Sequence, residues 1–96
     1  MGIDFEWDPN KASRNFANHG VPFEEAATVF RDPLSATASD PDHSVDEERF
    51  ITVGLSAQGR LLMIAHTEQG HSIRIISARE LTPRERRQYE EASRDE

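Results

Sequence analysis

Three consecutive runs of strand-forming residues, Arg49–Ala57, Arg60–Glu68 and Ser72–Glu80, are separated only by Gln58-Gly59 and Gln69-Gly70. Strands joined by so little chain pair antiparallel with their immediate neighbours, because a parallel connection needs a crossover of roughly a dozen residues. The middle of the chain is therefore committed to an antiparallel sheet. Two-residue turns at both glycines would set Leu55 opposite Leu62, Val53 opposite Ile64, Ile64 opposite Ile75 and Leu62 opposite Ser77. One face then holds Ile51, Val53, Leu55, Leu62, Ile64, Ile73 and Ile75, with Arg49, His66, Ser77 and Arg79 at its margins. The other holds Phe50, Thr52, Gly54, Leu61, Met63, Ala65, Thr67, Arg74, Ile76 and Ala78. The more aliphatic first face is expected to carry the helices. A slip of one residue would exchange the faces.

The flanking segments read as helices. Asp8-Pro9 is an N-cap followed by a proline at the first helical position, and Gly20 ends the helix it starts, which runs from about Pro9 to Asn18 with Ala12, Phe16 and Ala17 on one side. Pro22 opens a second helix with Glu24 and Glu25 in its first turn and an apolar stripe of Phe23, Ala26, Ala27 and Phe30, and Pro33 stops it. Thr82-Pro83-Arg84-Glu85 is a capping box, opening a last helix to about Ala92. Ile3–Trp7 is a short strand or extended arm that Phe5 and Trp7 would anchor; Leu34–Ser39 is an edge-strand candidate and Asp40–Glu48 an acidic loop. The order predicts one α+β domain: two N-terminal helices, an antiparallel sheet of three to four strands, and a C-terminal helix.

At 96 residues and 35% hydrophobic content, a single thin core is expected. No apolar run approaches the ~20 residues of a membrane span, and the N-terminus lacks signal-peptide character. The expectation is a cytoplasmic protein without a membrane association. The absence of cysteine excludes disulfides and thiolate chemistry. The net charge of −7 is unevenly placed: residues 1–48 carry three basic against eleven acidic side chains, whereas residues 49–89 carry seven arginines against three glutamates. Arginine grips phosphate in a two-pronged manner that lysine cannot match. The basic stretch is thus either a salt-bridged surface or a phosphate-binding one, and the acidic half would suit a basic partner segment.

Arg74 stands between isoleucines in Ser72-Ile73-Arg74-Ile75-Ile76, where a charge must be paired or reach water. It reads as a structural ion pair or as a phosphate clamp. Arg79 has the opposite strand parity, so only a bulge near Ser77 or an early strand exit would bring both arginines to one side. His66 is a core histidine or a general acid–base group. His19, beside Gly20, fits a helix-capping role; His43 and His71 fit solvated positions. Arg49, Arg60 and Tyr89 are candidate RNA contacts, Tyr89 through stacking, although packing of its ring on the sheet is the plainer account. Asp40, Asp42 and Asp46 lack the glycine and glutamate of a calcium loop, and no zinc, phosphate-loop or serine-nucleophile motif is present. No cofactor is expected. What remains is metal-free, arginine-based chemistry, suited to attack of an RNA 2′-hydroxyl on its own phosphate.

Several segments resemble the BrnT toxin family: Phe5-Glu6-Trp7-Asp8-Pro9-Asn10-Lys11, Asn18 through Ala26, Asp32-Pro33-Leu34, Glu48-Arg49-Phe50, His66-Thr67-Glu68, Ile73 through Arg79, and Thr82 through Tyr89. The resemblance implies a RelE-like fold, ribonuclease activity in a type II toxin–antitoxin module, and neutralisation by a BrnA-like ribbon-helix-helix antitoxin that alone contacts DNA. It also implies His66, Arg74 and Arg79 as the catalytic group; the roles expected within it, arginines holding phosphate and the histidine moving a proton, are our own assignment. Against this stand a toxin-like domain without catalysis, acting as partner or co-repressor of a DNA-binding protein, and a metal-dependent hydrolase.

Overall fold

The computed structural model describes residues 2–40 and 48–94; Asp42, His43 and Asp46 of the acidic loop lie outside them. The elements are β1 (Asp4–Glu6), α1 (Pro9–His19), α2 (Phe23–Thr28) continued by a 3₁₀ turn (Val29–Arg31), β2 (Ala36–Ser39), β3 (Phe50–Leu55), β4 (Leu61–Gln69), β5 (Ser72–Glu80) and α3 (Pro83–Arg94). They form one five-stranded sheet in the order β1-β5-β4-β3-β2. The expected α+β order holds, but the sheet is larger than three to four strands and is mixed. β1 pairs parallel to β5, with Phe5 beside Ile73. No helix among the described residues is long and apolar enough to cross a membrane.

The helix boundaries follow their caps. Asp8 accepts a 2.8 Å hydrogen bond from the Asn10 amide, and Gly20 takes φ 69° while its amide donates to the Phe16 carbonyl. Pro22 caps α2, which yields to the 3₁₀ turn just before Pro33. Glu85 closes the capping box on α3: its carboxylate accepts from the Thr82 amide at 2.9 Å, and Thr82 Oγ1 accepts from the Glu85 amide at 3.2 Å.

The strand register differs from expectation at both hairpins. β3 and β4 are joined by the longer loop Ser56–Arg60, closed by a 2.8 Å bond from the Ser56 amide to the Arg60 carbonyl, with Gly59 at φ 87°. Leu55 therefore lies opposite Leu61, and Val53 opposite Met63. That one-residue slip turns Ile51, Val53 and Leu55 away from the helices and sends Phe50, Thr52 and Gly54 towards them. The β4–β5 turn is Gly70-His71, not Gln69-Gly70, with Gln69 paired to Ser72 and Gly70 at φ 59°. A glycine with positive φ at the first of two turn positions is what a type II′ hairpin requires. Further along, Ala65 pairs with Ser77 but His66 with Ile75, so Ile76 is an extra residue in β5. Ile64 consequently faces Ala78, and Leu62 faces Glu80.

The helix-covered face holds the core: Leu62, Ile64, Ile73, Ile75 and Ala78 from the sheet against Val21, Phe23, Ala26 and Val29. Trp7 meets Phe23 edge-on at 5.8 Å and Phe5 meets Phe30 at 5.4 Å, which anchors β1. Gly54 must be glycine, since a Cβ there would lie 2.9 Å from both Ser35 Cβ and Val29 Cγ1. Among the buried polar residues, Asn15 and His66 organise this layer. On α1 the buried side chain is Asn15, while Phe16, expected in the core, is 56% exposed. Asn15 Nδ2 donates to the carbonyls of Val21 (3.1 Å) and Ala78 (2.9 Å), and its Oδ1 accepts from the Ala78 amide (3.1 Å). Because β1 pairs with β5 only as far as Arg74, the backbone edge at Ala78 has no neighbouring strand. The Asn15 amide takes that strand's place, satisfying groups that would be costly to bury unpaired.

His66 is the second of these. It is fully enclosed, stacked on Phe50 at 5.9 Å, edge-on to Phe30 at 4.9 Å, and hydrogen-bonded through Nε2 to Thr52 Oγ1 at 2.7 Å. Thr52 in turn meets Thr37 Oγ1 at 2.7 Å. Burial pushes the imidazole down to about 4.

Two outcomes follow for stability. Replacing Asn15 by leucine should lower the unfolding free energy by about 3 kcal/mol, since three backbone groups lose its side chain as partner, whereas Phe16→Ala should change it by under ~0.5 kcal/mol; urea denaturation reads both, and the reverse ranking would refute this account of α1. Because His66 has its folded value below its unfolded one, its contribution is complete above about pH 6.5 and lost as pH falls towards 4, up to about 3 kcal/mol. The folded value of Glu85, held by Arg79 and the Thr82 amide, is about 2, so its contribution is lost lower, between about 4.5 and 2. Denaturation curves across pH 7 to 2 should lose the upper step in His66→Phe and the lower one in Glu85→Gln.

Candidate active site

The sheet face away from α1 and α2 carries half-buried Ile51, Val53, Met63, Ala65 and Ser77. The extra residue in β5 determines which arginines join them. Arg74 pairs with Thr67 and Arg79 with Met63, and since Thr67 and Met63 are separated by an even number of residues on β4, the two arginines share one face. The parity conflict in the sequence is thus resolved by a bulge. Four residues of strand separate the two rows, about 13 Å along the sheet at ~3.3 Å per residue.

A cleft of about 370 Å³ opens on this face, within the range that holds small ligands. Its floor is Ile51, Met63, Ala65, Ile76 and Ser77, and its polar rim is Arg49, Arg79, His19 and Asp40. Arg49 comes from the residue before β3, Arg79 from the end of β5 and His19 from the end of α1. A second cleft, at Glu48, Phe50, Thr67, Glu68, Gln69 and Gly70, carries two carboxylates and would repel a phosphate.

Arg79 is held by its neighbours. Its two terminal nitrogens donate to the Glu85 carboxylate at 2.8 and 2.9 Å, and further to the Glu80 carbonyl at 3.1 Å and Met63 Sδ at 3.2 Å. The Glu85 pairing raises the guanidinium above its ordinary value, so Arg79 is a permanent cation. This fork fixes the plane of the group. Arg74 is held more loosely, by one 3.4 Å contact to exposed Glu6, and its side chain is 49% exposed. It lies on the same face but does not line the cleft.

The remaining expected site residues are placed elsewhere. Arg60 donates through Nε to Glu25 Oε2 at 2.9 Å, pairs with the same carboxylate through its terminal nitrogen, and reaches Glu80 and the Gly20 carbonyl at 3.2 Å. Ser56 also donates to Glu25 at 2.7 Å, and these contacts hold the Glu25 carboxyl below the usual range. Arg60 is therefore a strut between α2 and the β3–β4 loop, and it does not line the cleft. The Tyr89 hydroxyl donates to the Leu34 carbonyl at 2.9 Å, tying α3 to the segment before β2; burial, then the charge of Asp32, raises its value. That bond commits its hydroxyl to the fold. His66 lies on the helix-covered face, across the sheet from the arginines, and its enclosure and lowered value remove it from proton transfer at the cleft. Sequence reasoning missed His19 as a cleft residue. Its position one turn after Asn15 was the available signal, obscured because α1 was expected to bury Phe16.

Comparison with known proteins agrees with this architecture. The structure resembles the crystal structure of the Brucella abortus ribonuclease toxin BrnT, with a TM-score of 0.61 at 19% identity over 83% of this chain and 97% of that one. Among curated proteins none matches significantly. Residues 7–85 match the family model for the ribonuclease toxin BrnT of type II toxin–antitoxin systems, and with that span covering most of its length the chain belongs to the BrnT family.

Proposed function

We propose that this protein is a metal-independent endoribonuclease whose cleft, on the sheet face away from α1 and α2, binds a stretch of RNA and promotes attack of a 2′-hydroxyl on the adjacent phosphate. The observation that carries the reading is the convergence of Arg49 and Arg79 over a floor of small and apolar residues. The nucleophile belongs to the substrate, so the protein has to orient it, stabilise the charge building on the phosphoryl oxygens, and handle protons. Arg79, with its plane fixed by Glu85, presents a permanent positive charge without reorganising. Arg49 supplies the facing cation. Arg74, about 13 Å along the sheet from Arg79, is placed for a neighbouring phosphate. The half-buried Met63, Ala65 and Ile51 give a sugar or base an apolar surface to lie on.

Membership in a toxin–antitoxin family supports an antitoxin partner. A BrnA-like ribbon-helix-helix protein fits the role, with DNA reached only through it and the pair acting in the cytoplasm. The acidic first half of this chain suits a basic segment of such a partner.

The test is cleavage of RNA in the presence of chelator, alone and with translating ribosomes. Wild-type protein should yield fragments ending in 2′,3′-cyclic phosphate, with Arg79→Ala and Arg49→Ala each slower by about 10²-fold. Arg74→Ala should weaken RNA binding at little cost to kcat and lower the salt slope of binding by about 0.7, as the loss of one phosphate contact to a single strand requires. Activity that chelator abolishes, or none on either substrate, would refute the reading; the second result would favour a toxin-like partner without catalysis.

A further inference from the structure

RNA cleavage by a 2′-hydroxyl needs a proton for the departing 5′-oxygen, because an alkoxide is a poor leaving group. His66 is enclosed on the far face, and no arginine gives up a proton near neutral pH. His71 sits in the Gly70-His71 turn and does not line the cleft. His19 does line it, beside Ser77 and Arg79.

His19 is also firmly placed. It is the last residue of α1, and the left-handed Gly20 ends the helix directly after it. One turn earlier, about 6 Å along the axis, Asn15 is bonded to both backbone groups of Ala78, the residue preceding Arg79. The anchor that replaces a missing strand thus sets the position of His19 relative to the arginine. The imidazole is exposed and, among the described residues, makes no hydrogen bond or ion pair with the protein. A purely structural cap on the helix end would be engaged there.

We propose that His19 is the general acid of this cleft. The proposal rests on the ribonuclease reading and deepens it. In the reaction the 2′-hydroxyl loses its proton to solvent, the O2′–P bond forms, and the P–O5′ bond breaks as the imidazolium of His19 gives its proton to the 5′-oxygen. The products are a 2′,3′-cyclic phosphate and a 5′-hydroxyl. Imidazole suits this transfer because its protonated form can give up a proton to a departing oxygen, which a guanidinium does not.

The experiment compares wild-type protein with His19→Gln and the control His71→Gln on two dinucleotide substrates, one with the normal 5′-oxygen and one with sulfur bridging at that position. A thiolate departs without a proton. The expected result is a loss of about 10²-fold or more for His19→Gln on the oxygen substrate, restored towards the wild-type rate on the sulfur substrate. The fall in wild-type rate with rising pH should be absent in the variant, and His71→Gln should match wild type. Thermal unfolding confirms that the exposed substitutions leave the fold intact. Equal losses on both substrates, or an unchanged rate and pH profile, would overturn the role of His19 while leaving the cleft a ribonuclease. Wild-type inactivity on both dinucleotides and on RNA with translating ribosomes would overturn the ribonuclease reading, and this proposal with it.

Discussion

One extra residue in β5 decides which side chains meet. Up to Ile75 the strand alternates with its isoleucines towards the helices and Arg74 away from them; after Ile76 the alternation resumes one step out of phase, with Ala78 inward and Ser77 and Arg79 outward. A regular strand would have driven Arg79 under α1, where an unpaired charge is prohibitive, or exposed Ala78 in its place. The bulge permits a nine-residue strand to supply a continuous core and two same-facing arginines. Bulges recur beside functional sites because they re-aim side chains in this way.

The bulge acts together with Asn15. β1 is too short to cover β5 beyond Arg74, so the strand would end as an open edge within the protein. The amide of Asn15 satisfies Ala78 as a neighbouring strand would, and in doing so joins α1 to the part of β5 that follows the bulge. Fold stability and cleft geometry are coupled at this contact: whatever loosens α1 also moves His19 relative to Arg79. On the opposite side of Arg79, the same Glu85 that caps α3 holds the guanidinium. Two helix ends are therefore fixed by groups that also shape the site.

Much of this was legible in the residues. Asp8-Pro9, Gly20, Pro22 and the Thr82–Glu85 box marked helix limits because caps act locally, through the orphan groups of one turn. Register was not legible, since it depends on how many residues each turn consumes. Gln58-Gly59 looked like a two-residue turn but sits inside the longer loop Ser56–Arg60, which Glu25 organises through Ser56 and Arg60 from another part of the chain. One residue of error there inverted the faces of β3. β1 was legible as a short strand or arm, but its pairing was not: three residues carry little pattern, and the parallel partner lies most of the chain away. At the site, Arg49, Arg74 and Arg79 were visible as types and their common face was not. His66 drew attention as the strand histidine, yet Thr52 and the aromatic rings around it show it filling the core.

Net charge bears on how such a cleft holds a polyanion. At −7 the molecule repels RNA at long range, but at physiological salt that repulsion is screened beyond about 8 Å, while contacts within the cleft are made at hydrogen-bonding distance. Several arginines are neutralised by partners: Arg60 by Glu25 and Glu80, Arg79 by Glu85. The site consequently offers directed donors more than a broad positive field, and that favours positioning of one phosphate over tight binding of a strand. Electrostatic steering contributes mainly to association rate. On the proposed reading, a cleft built on fixed guanidinium planes is slow to capture RNA and still effective once a strand is seated, which would place the demand for substrate delivery outside the chain and the chemistry within it.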